Sequence, residues 1–166
     1  MLKPDYYFES VFHIPYDRLY ELGIRALIYD IDNTLASYDD KLAPEQIRLL
    51  VKDLKEMGFK VGLLSNNNAR RVDMFNEPMG LPSSSMSGKP FTIALMRLMG
   101  EMAVQGQECA IVGDQILADV WCGKRAGITT VLVKPLTDKE VITVRLKRIV
   151  ERPLLKKYLS SHVNPL

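Results

Sequence analysis

Asp30, Asp32 and Thr34 stand at alternate positions in the stretch Ala26-Leu27-Ile28-Tyr29-Asp30-Ile31-Asp32-Asn33-Thr34-Leu35. Side chains of a strand alternate with period two, so both carboxylates would reach one side of the strand end. One carboxylate there can act as a nucleophile and the other as a proton donor and acceptor. Like charges held together repel, which asks for a cation, and hard oxygen ligands suit Mg²⁺. The plain alternative is a solvated Asp-rich turn that closes a strand. Four further positions follow in the chain: Ser65, Lys89, Asp114 after Gly113, and Asp119. Each has an ordinary use alone. Ser65 would cap a helix, Lys89 would be a solvated loop charge, and Asp114 would be a turn or N-cap residue.

Bringing these side chains together requires strands that end at one edge. Ala26 to Asp30, Lys60 to Leu64, Cys109 to Val112 and Thr129 to Val133 are short apolar runs bounded by turn residues, as strands are. Between them lie helical patterns. Pro44 opens one with Ile47, Leu50, Val51, Leu54 and Met57 on its apolar face and Gly58 as its stop. Others run through Arg70 to Phe75, Phe91 to Met102 and Ile116 to Arg125; Trp121 and the methionines near Met96 read as core. Met1 to Gly23 reads as a lead-in with a short helical pattern. Alternating strands and helices over short loops predict an α/β fold, a three-layer, doubly wound parallel sheet with helices on both faces. In such sheets ligands bind beyond the carboxyl ends of the strands, where Asp30, Ser65 and Asp114 fall.

At 166 residues, 47% hydrophobic and 25% charged, the chain is expected to form one globular domain. Its net charge of +2 gives no reason to expect a nucleic-acid partner. The charge is uneven: Asp138 to Leu159 holds seven Lys or Arg against three Asp or Glu, +4 in all, which leaves −2 for the rest. Residues 138–166 therefore read as a basic helical tail. No signal peptide or membrane span is visible. Cys109 and Cys122 read as buried, reduced thiols, and a cytoplasmic location is expected.

Four segments in order, Asp30-Ile-Asp-Asn-Thr-Leu35, Leu64-Ser-Asn-Asn-Asn68, Gly88-Lys-Pro90 and Gly113-Asp-Gln-Ile-Leu-Ala-Asp119, resemble the motifs of the haloacid dehalogenase (HAD) superfamily. Within it, the chain resembles the YqeG-type subfamily, related to phosphatidylglycerophosphate phosphatases. The resemblance implies a phosphomonoester hydrolase working through an aspartyl-phosphate. Asp30 would be the nucleophile. Asp32 would protonate the leaving oxygen, then take a proton from water, and its backbone carbonyl would bind the metal. Thr34 would steady the nucleophile loop. Ser65, the amide of Asn66 and Lys89 would hold the phosphate. Asp114 would complete a Mg²⁺ site with Asp30 and Asp32, and Asp119 would orient Lys89 or a metal-bound water. Gln115 departs from the many superfamily members that carry a further Asp there.

HAD enzymes often carry a cap domain, and this chain lacks room for one. Only Ala36 to Ala43 separates the first motif from the Pro44 helix, and 23 residues lie between Ser65 and Lys89. The site is expected to be open, with a small flap at Tyr38-Asp39-Asp40. That suits a phosphate carried on something large: phosphatidylglycerophosphate first, with a phosphoprotein or nucleotide as the second option. A partner subunit acting as lid would be another way to close it. Arg145, Arg148 and Arg152 form a stripe beside the apolar face of Ile142, Leu146, Ile149 and Val150. With Lys156 and Lys157 they could give a peripheral contact with anionic membrane. Two further readings compete: a receiver-like signalling domain, whose phosphate-accepting Asp lies at a middle strand, and a low-turnover assembly factor on the same fold.

Overall fold

The computed structural model describes residues 2–137 together with Pro153 and Lys156. The arginine stripe and the remainder of the basic tail lie outside the described residues.

Ala26-Leu27-Ile28-Tyr29 is apolar at every position, which is what a strand covered on both faces requires. It forms β2 (Ala26–Tyr29), and all four residues are buried. The other strands are β1 (Tyr6–Phe8), β3 (Lys60–Leu64), β4 (Ser83–Ser84), β5 (Cys109–Gly113) and β6 (Thr129–Val133). They form one sheet in the order β1-β6-β5-β2-β3-β4, and every pairing is parallel. From β2 the chain winds outward through β3 and β4, then returns to the other side of β2 with β5. The switch point lies between β2 and β5, where the chain leaves a crevice beyond the strand ends.

Within residues 2–137, five helices cover the sheet: α1 (Tyr16–Glu21), α2 (Glu45–Glu56), α3 (Ala69–Asn76), α4 (Ile93–Glu101) and α5 (Trp121–Ala126). Strand alternation decides which face each residue joins. Leu27, Tyr29, Val61, Leu63 and Val112 pack with Leu19 of α1, Val51 and Leu54 of α2, and Val72 and Phe75 of α3. Ala26, Ile28, Leu64 and Ile111 point the other way, against Leu95, Leu98 and Met99 of α4 and Cys122 of α5. The three-layer, doubly wound parallel fold expected from the sequence is thus present. No cap layer stands among the described residues.

Two local readings need correction, and one short strand is additional. The lead-in is more than a lead-in: Tyr6–Phe8 pairs with Val131, Leu132 and Val133 as an edge strand. Asp5 docks it, because its Oδ2 accepts from the backbone N–H and Oγ1 of Thr130, both at 2.8 Å. Ser83–Ser84 adds the opposite edge, too short to show an alternating pattern. Trp121 and Met96 are exposed, since each lies on the outer side of its helix, while Met99 and Met102 are buried. Cys109 and Cys122 are buried free thiols, and burial pushes both up to about 11.

Candidate active site

The parallel register sets the site. Tyr29 of β2 lies level with Val112 of β5 and Leu63 of β3. Asp30 therefore leaves β2 one residue later, Asp114 follows β5, and Ser65 follows β3. The Asp30 N–H still donates to the Val112 carbonyl at 2.9 Å, so the first carboxylate is held rigidly against the sheet. A tight turn comes next. The N–H groups of Thr34, Leu35 and Ala36 all reach the Ile31 carbonyl, and Asn33 has a left-handed φ of 64°.

Asp30, Asp32, Thr34, Ser65, Lys89, Asp114 and Asp119 are all buried, an unusual concentration of polar and charged side chains. Lys89 Nζ lies 2.6 Å from Asp30 Oδ1 and 2.7 Å from Asp119 Oδ1, and it donates to the Leu64 carbonyl at 2.7 Å. Burial penalises the ammonium, yet the Asp119 and Asp30 charges more than offset this and raise its pKa. Burial pushes the Asp30 carboxyl up to about 7; Lys89 opposes the shift, and the charges of Asp119 and Asp32 add to it. Thr34 Oγ1 donates to Asp114 Oδ1 at 3.3 Å, which ties the turn after β2 to the end of β5.

Asn66 acts as a brace. Its Oδ1 accepts from Ser87 Oγ and from the Lys89 N–H, both at 2.8 Å, and its Nδ2 donates to the Lys89 carbonyl at 3.1 Å. Ser65 Oγ accepts from the Asn67 N–H at 3.1 Å. The cap of α3 is Asn68, whose side chain accepts from the Arg71 N–H, so the helix-capping use of Ser65 is taken by another residue.

Asp119 reaches the site through an unusual turn. Ile116–Val120 is one turn of π-helix ahead of α5, a wider coil than the α-helix expected across Ile116 to Arg125. Asp119 Oδ2 accepts from the Gln115 N–H at 3.0 Å while its Oδ1 faces Lys89. A Cβ on Gly113 would stand 2.2 Å from Asp119 Cγ, so only glycine leaves room for this carboxylate.

Oxygens of Asp30, Asp114 and Asp119 come within 4.8 Å of one another, all in buried carboxyls. Three carboxylates against one ammonium leave excess negative charge, and this hard-oxygen donor set fits a divalent cation such as Mg²⁺. The Asp32 side chain stands apart from this triad. Its Oδ1 accepts from Arg71 Nε at 3.1 Å and Nη2 at 3.0 Å, and its Oδ2 from Asn67 Nδ2 at 3.1 Å. Arg71 and Asn67 were not singled out from the sequence. The usable signal was position: both lie within a turn or so of Ser65 at the head of α3.

A parallel sheet with this switch-point cluster of Asp, Lys and Asp is the arrangement that the HAD resemblance implies. Residues 86–140 match the family model described as HAD-hydrolase-like. Over 152 residues the chain is 38% identical to the probable phosphatase YqeG of Bacillus subtilis, covering 92% of this chain and 88% of that one. It therefore belongs to the HAD superfamily of phosphatases, in the group of that Bacillus protein. A weaker likeness, 25% identity over 163 residues, joins it to phosphatidylglycerophosphate phosphatase 1 of Chlamydomonas reinhardtii. That match covers 92% of this chain but only 61% of the algal protein. In fold, it resembles the cobalt-bound deoxy-D-mannose-octulosonate 8-phosphate phosphatase of Haemophilus influenzae. The TM-score is 0.52 at 17% identity, over 78% of this chain and 88% of the other.

Proposed function

We propose that the protein is a Mg²⁺-dependent phosphomonoester hydrolase that works through an aspartyl-phosphate on Asp30, with phosphatidylglycerophosphate as its substrate. The observation that carries this reading is the buried Asp30–Lys89–Asp119 ion-pair chain beside Asp114. Asp30 attacks phosphorus, and the bond to the leaving oxygen breaks. Asp32 gives that oxygen its proton, then takes one from the water that attacks the acyl phosphate and frees inorganic phosphate. Lys89 fixes the Asp30 rotamer through Oδ1 and supplies positive charge beside the transferring group. Ser65 and the Asn66 amide are the hydrogen-bond donors for its oxygens, on the loop that Asn66 braces. Asp30, Asp114 and the Asp32 carbonyl would hold Mg²⁺, with Asp119 behind Lys89. When bound, the ion neutralises charge on the phosphoryl group and keeps Asp30 ionised.

The lipid substrate draws on two supports. One is the likeness to the algal phosphatidylglycerophosphate phosphatase. The other is the short stretch of chain between the first motif and α2, where residues 39–42 are exposed. Such a site suits a phosphate presented at a surface. Purified protein should release phosphate from phosphatidylglycerophosphate micelles with Mg²⁺ and not with EDTA, and Asp30→Asn should lose at least ~10³-fold of that rate. Turnover of a phosphopeptide or nucleotide, with none of the lipid, would move the substrate to that class while keeping the chemistry.

A further inference from the structure

Arg71 makes more contacts than any ion pair needs. The guanidinium forks onto Asp32 Oδ1 through Nε and Nη2. Nη2 also donates to the Ser37 carbonyl at 3.2 Å, and Nη1 donates to the carbonyls of Asp40 at 2.5 Å and Lys41 at 3.2 Å. Its other side lies over the Phe75 ring, 5.5 Å from the centroid, which fixes the plane of the fork within α3. The side chain is 13% exposed; its fork onto Asp32 and its bond to Ser37 are partly buried, while its bonds to Asp40 and Lys41 are exposed. The loop it holds has its own staple, because Asp40 Oδ2 accepts from the Ser37 N–H and Oγ. That staple makes residues 37–40 one compact turn. Arg71 carries the turn and the carboxylate on one rigid group.

We propose that Arg71 is a positioning residue for the acid–base step: it aims Asp32 at the leaving oxygen and locks the Ser37–Lys41 turn to that aim. The proposal rests on Asp32 being the acid and base. With Oδ1 held by the fork, Oδ2 is the oxygen turned to the substrate, and its present donor is the Asn67 amide. Loop and acid then move together. A bulky phosphate ester that displaces the turn also displaces Asp32, so the turn admits only esters whose leaving group passes it without breaking the fork. Lysine cannot replace the group, since a single ammonium cannot reach one carboxylate and three carbonyls in different directions.

The test uses a series of substituted phenyl phosphates whose phenols differ in pKa. A poor leaving group needs the proton from Asp32, and a good one does not. Asp32→Asn should steepen the dependence of kcat/KM on leaving-group pKa. Arg71→Gln and Arg71→Lys should steepen it in the same sense, with about 10- to 100-fold loss on the poorest leaving groups and little on 4-nitrophenyl phosphate. Adding Arg71→Gln to Asp32→Asn should change the slope no further. Amide hydrogen exchange of residues 38–41 should rise in both Arg71 variants and stay unchanged in Asp32→Asn. Arg71→Lys, which keeps the charge and most of the stem, guards against a folding failure in the Gln variant. If Asp32→Asn steepens the slope and neither Arg71 variant does, the positioning role is overturned and the acid–base reading stands. If Asp32→Asn leaves the slope unchanged, both fall. Equal losses across the series would make Arg71 structural only.

Discussion

At the scale of single residues, the site is built by burying charges that water would otherwise hold. Asp30 bears the largest consequence. Burial raises its pKa from 3.8 to about 7, with Lys89 opposing the shift. Between those values the folded chain keeps a proton that the unfolded chain has lost. Without metal, stability should therefore fall as pH rises through that window, and Asp30→Asn should remove the fall. Thermal midpoints in EDTA check this: the advantage of Asp30→Asn over wild type should widen from about pH 4 to about pH 7 and then level off. Mg²⁺ should narrow it at the upper end by binding the ionised site. An offset independent of pH would contradict the burial argument. Gly113 carries a second consequence. Since a Cβ there meets the Asp119 carboxyl, Gly113→Ala should push Asp119 off Lys89. We expect about 10- to 100-fold lower kcat and a loss of roughly 1–3 kcal/mol in stability. Chemical denaturation and steady-state kinetics on one preparation measure both.

At the scale of elements, the strands that carry chemistry were legible because their register leaves little freedom. Apolar runs at 26–29, 60–64 and 109–113 end in Asp30, Ser65 and Asp114, and parallel pairing then brings those ends together. Edge elements were not legible. Tyr6–Phe8 has no alternation of its own and becomes a strand only because β6 offers it backbone partners, while Asp5 closes on Thr130. The π-turn at Ile116–Val120 was hidden for a related reason: its apolar pattern is that of a helix, and the wider coil is set by where Asp119 must point. Arg71 was hidden because its partners, Asp32 and the 37–41 turn, lie 30 or more positions away in sequence. The docking of β1 gives a clean check. Asp5 also pairs with Lys124 at 2.5 Å, so Asp5→Ala removes contacts to both β6 and α5. It should lower stability by roughly 1–3 kcal/mol and leave kcat on an aryl phosphate unchanged, since Asp5 lies at the amino end of β1 while Asp30 follows the carboxyl end of β2. A drop in kcat at full folding would show that the edge strand shapes the site.

At the scale of the molecule, the sheet supplies a rigid edge and, among the described residues, the short loops leave it without a cap. No helix among the described residues is long and apolar enough to cross a membrane. If the substrate is a lipid phosphate, the protein would meet it at a membrane surface, and the contact we propose is through the basic residues of the tail. Each contributes about 1 kcal/mol near an anionic surface, and salt screens the attraction within ~8 Å, so several must act together. Replacing Arg145, Arg148 and Arg152 by Gln should weaken sedimentation with anionic liposomes. It should also lower turnover of vesicle-borne phosphatidylglycerophosphate far more than turnover of an aryl phosphate. Equal losses on both would assign the arginines to the fold.

The expectations for turnover depend on Asp30 taking the phosphoryl group, and trapping that state measures it directly. Protein mixed with a ³²P-labelled phosphate ester and Mg²⁺, then quenched in acid within a turnover, should carry label on the peptide that contains Asp30. Hydroxylamine should release the label, as it does from an acyl phosphate, and Asp30→Asn should carry none. Full turnover with no labelled peptide, or with label unchanged in Asp30→Asn, would contradict the assignment of Asp30 as nucleophile.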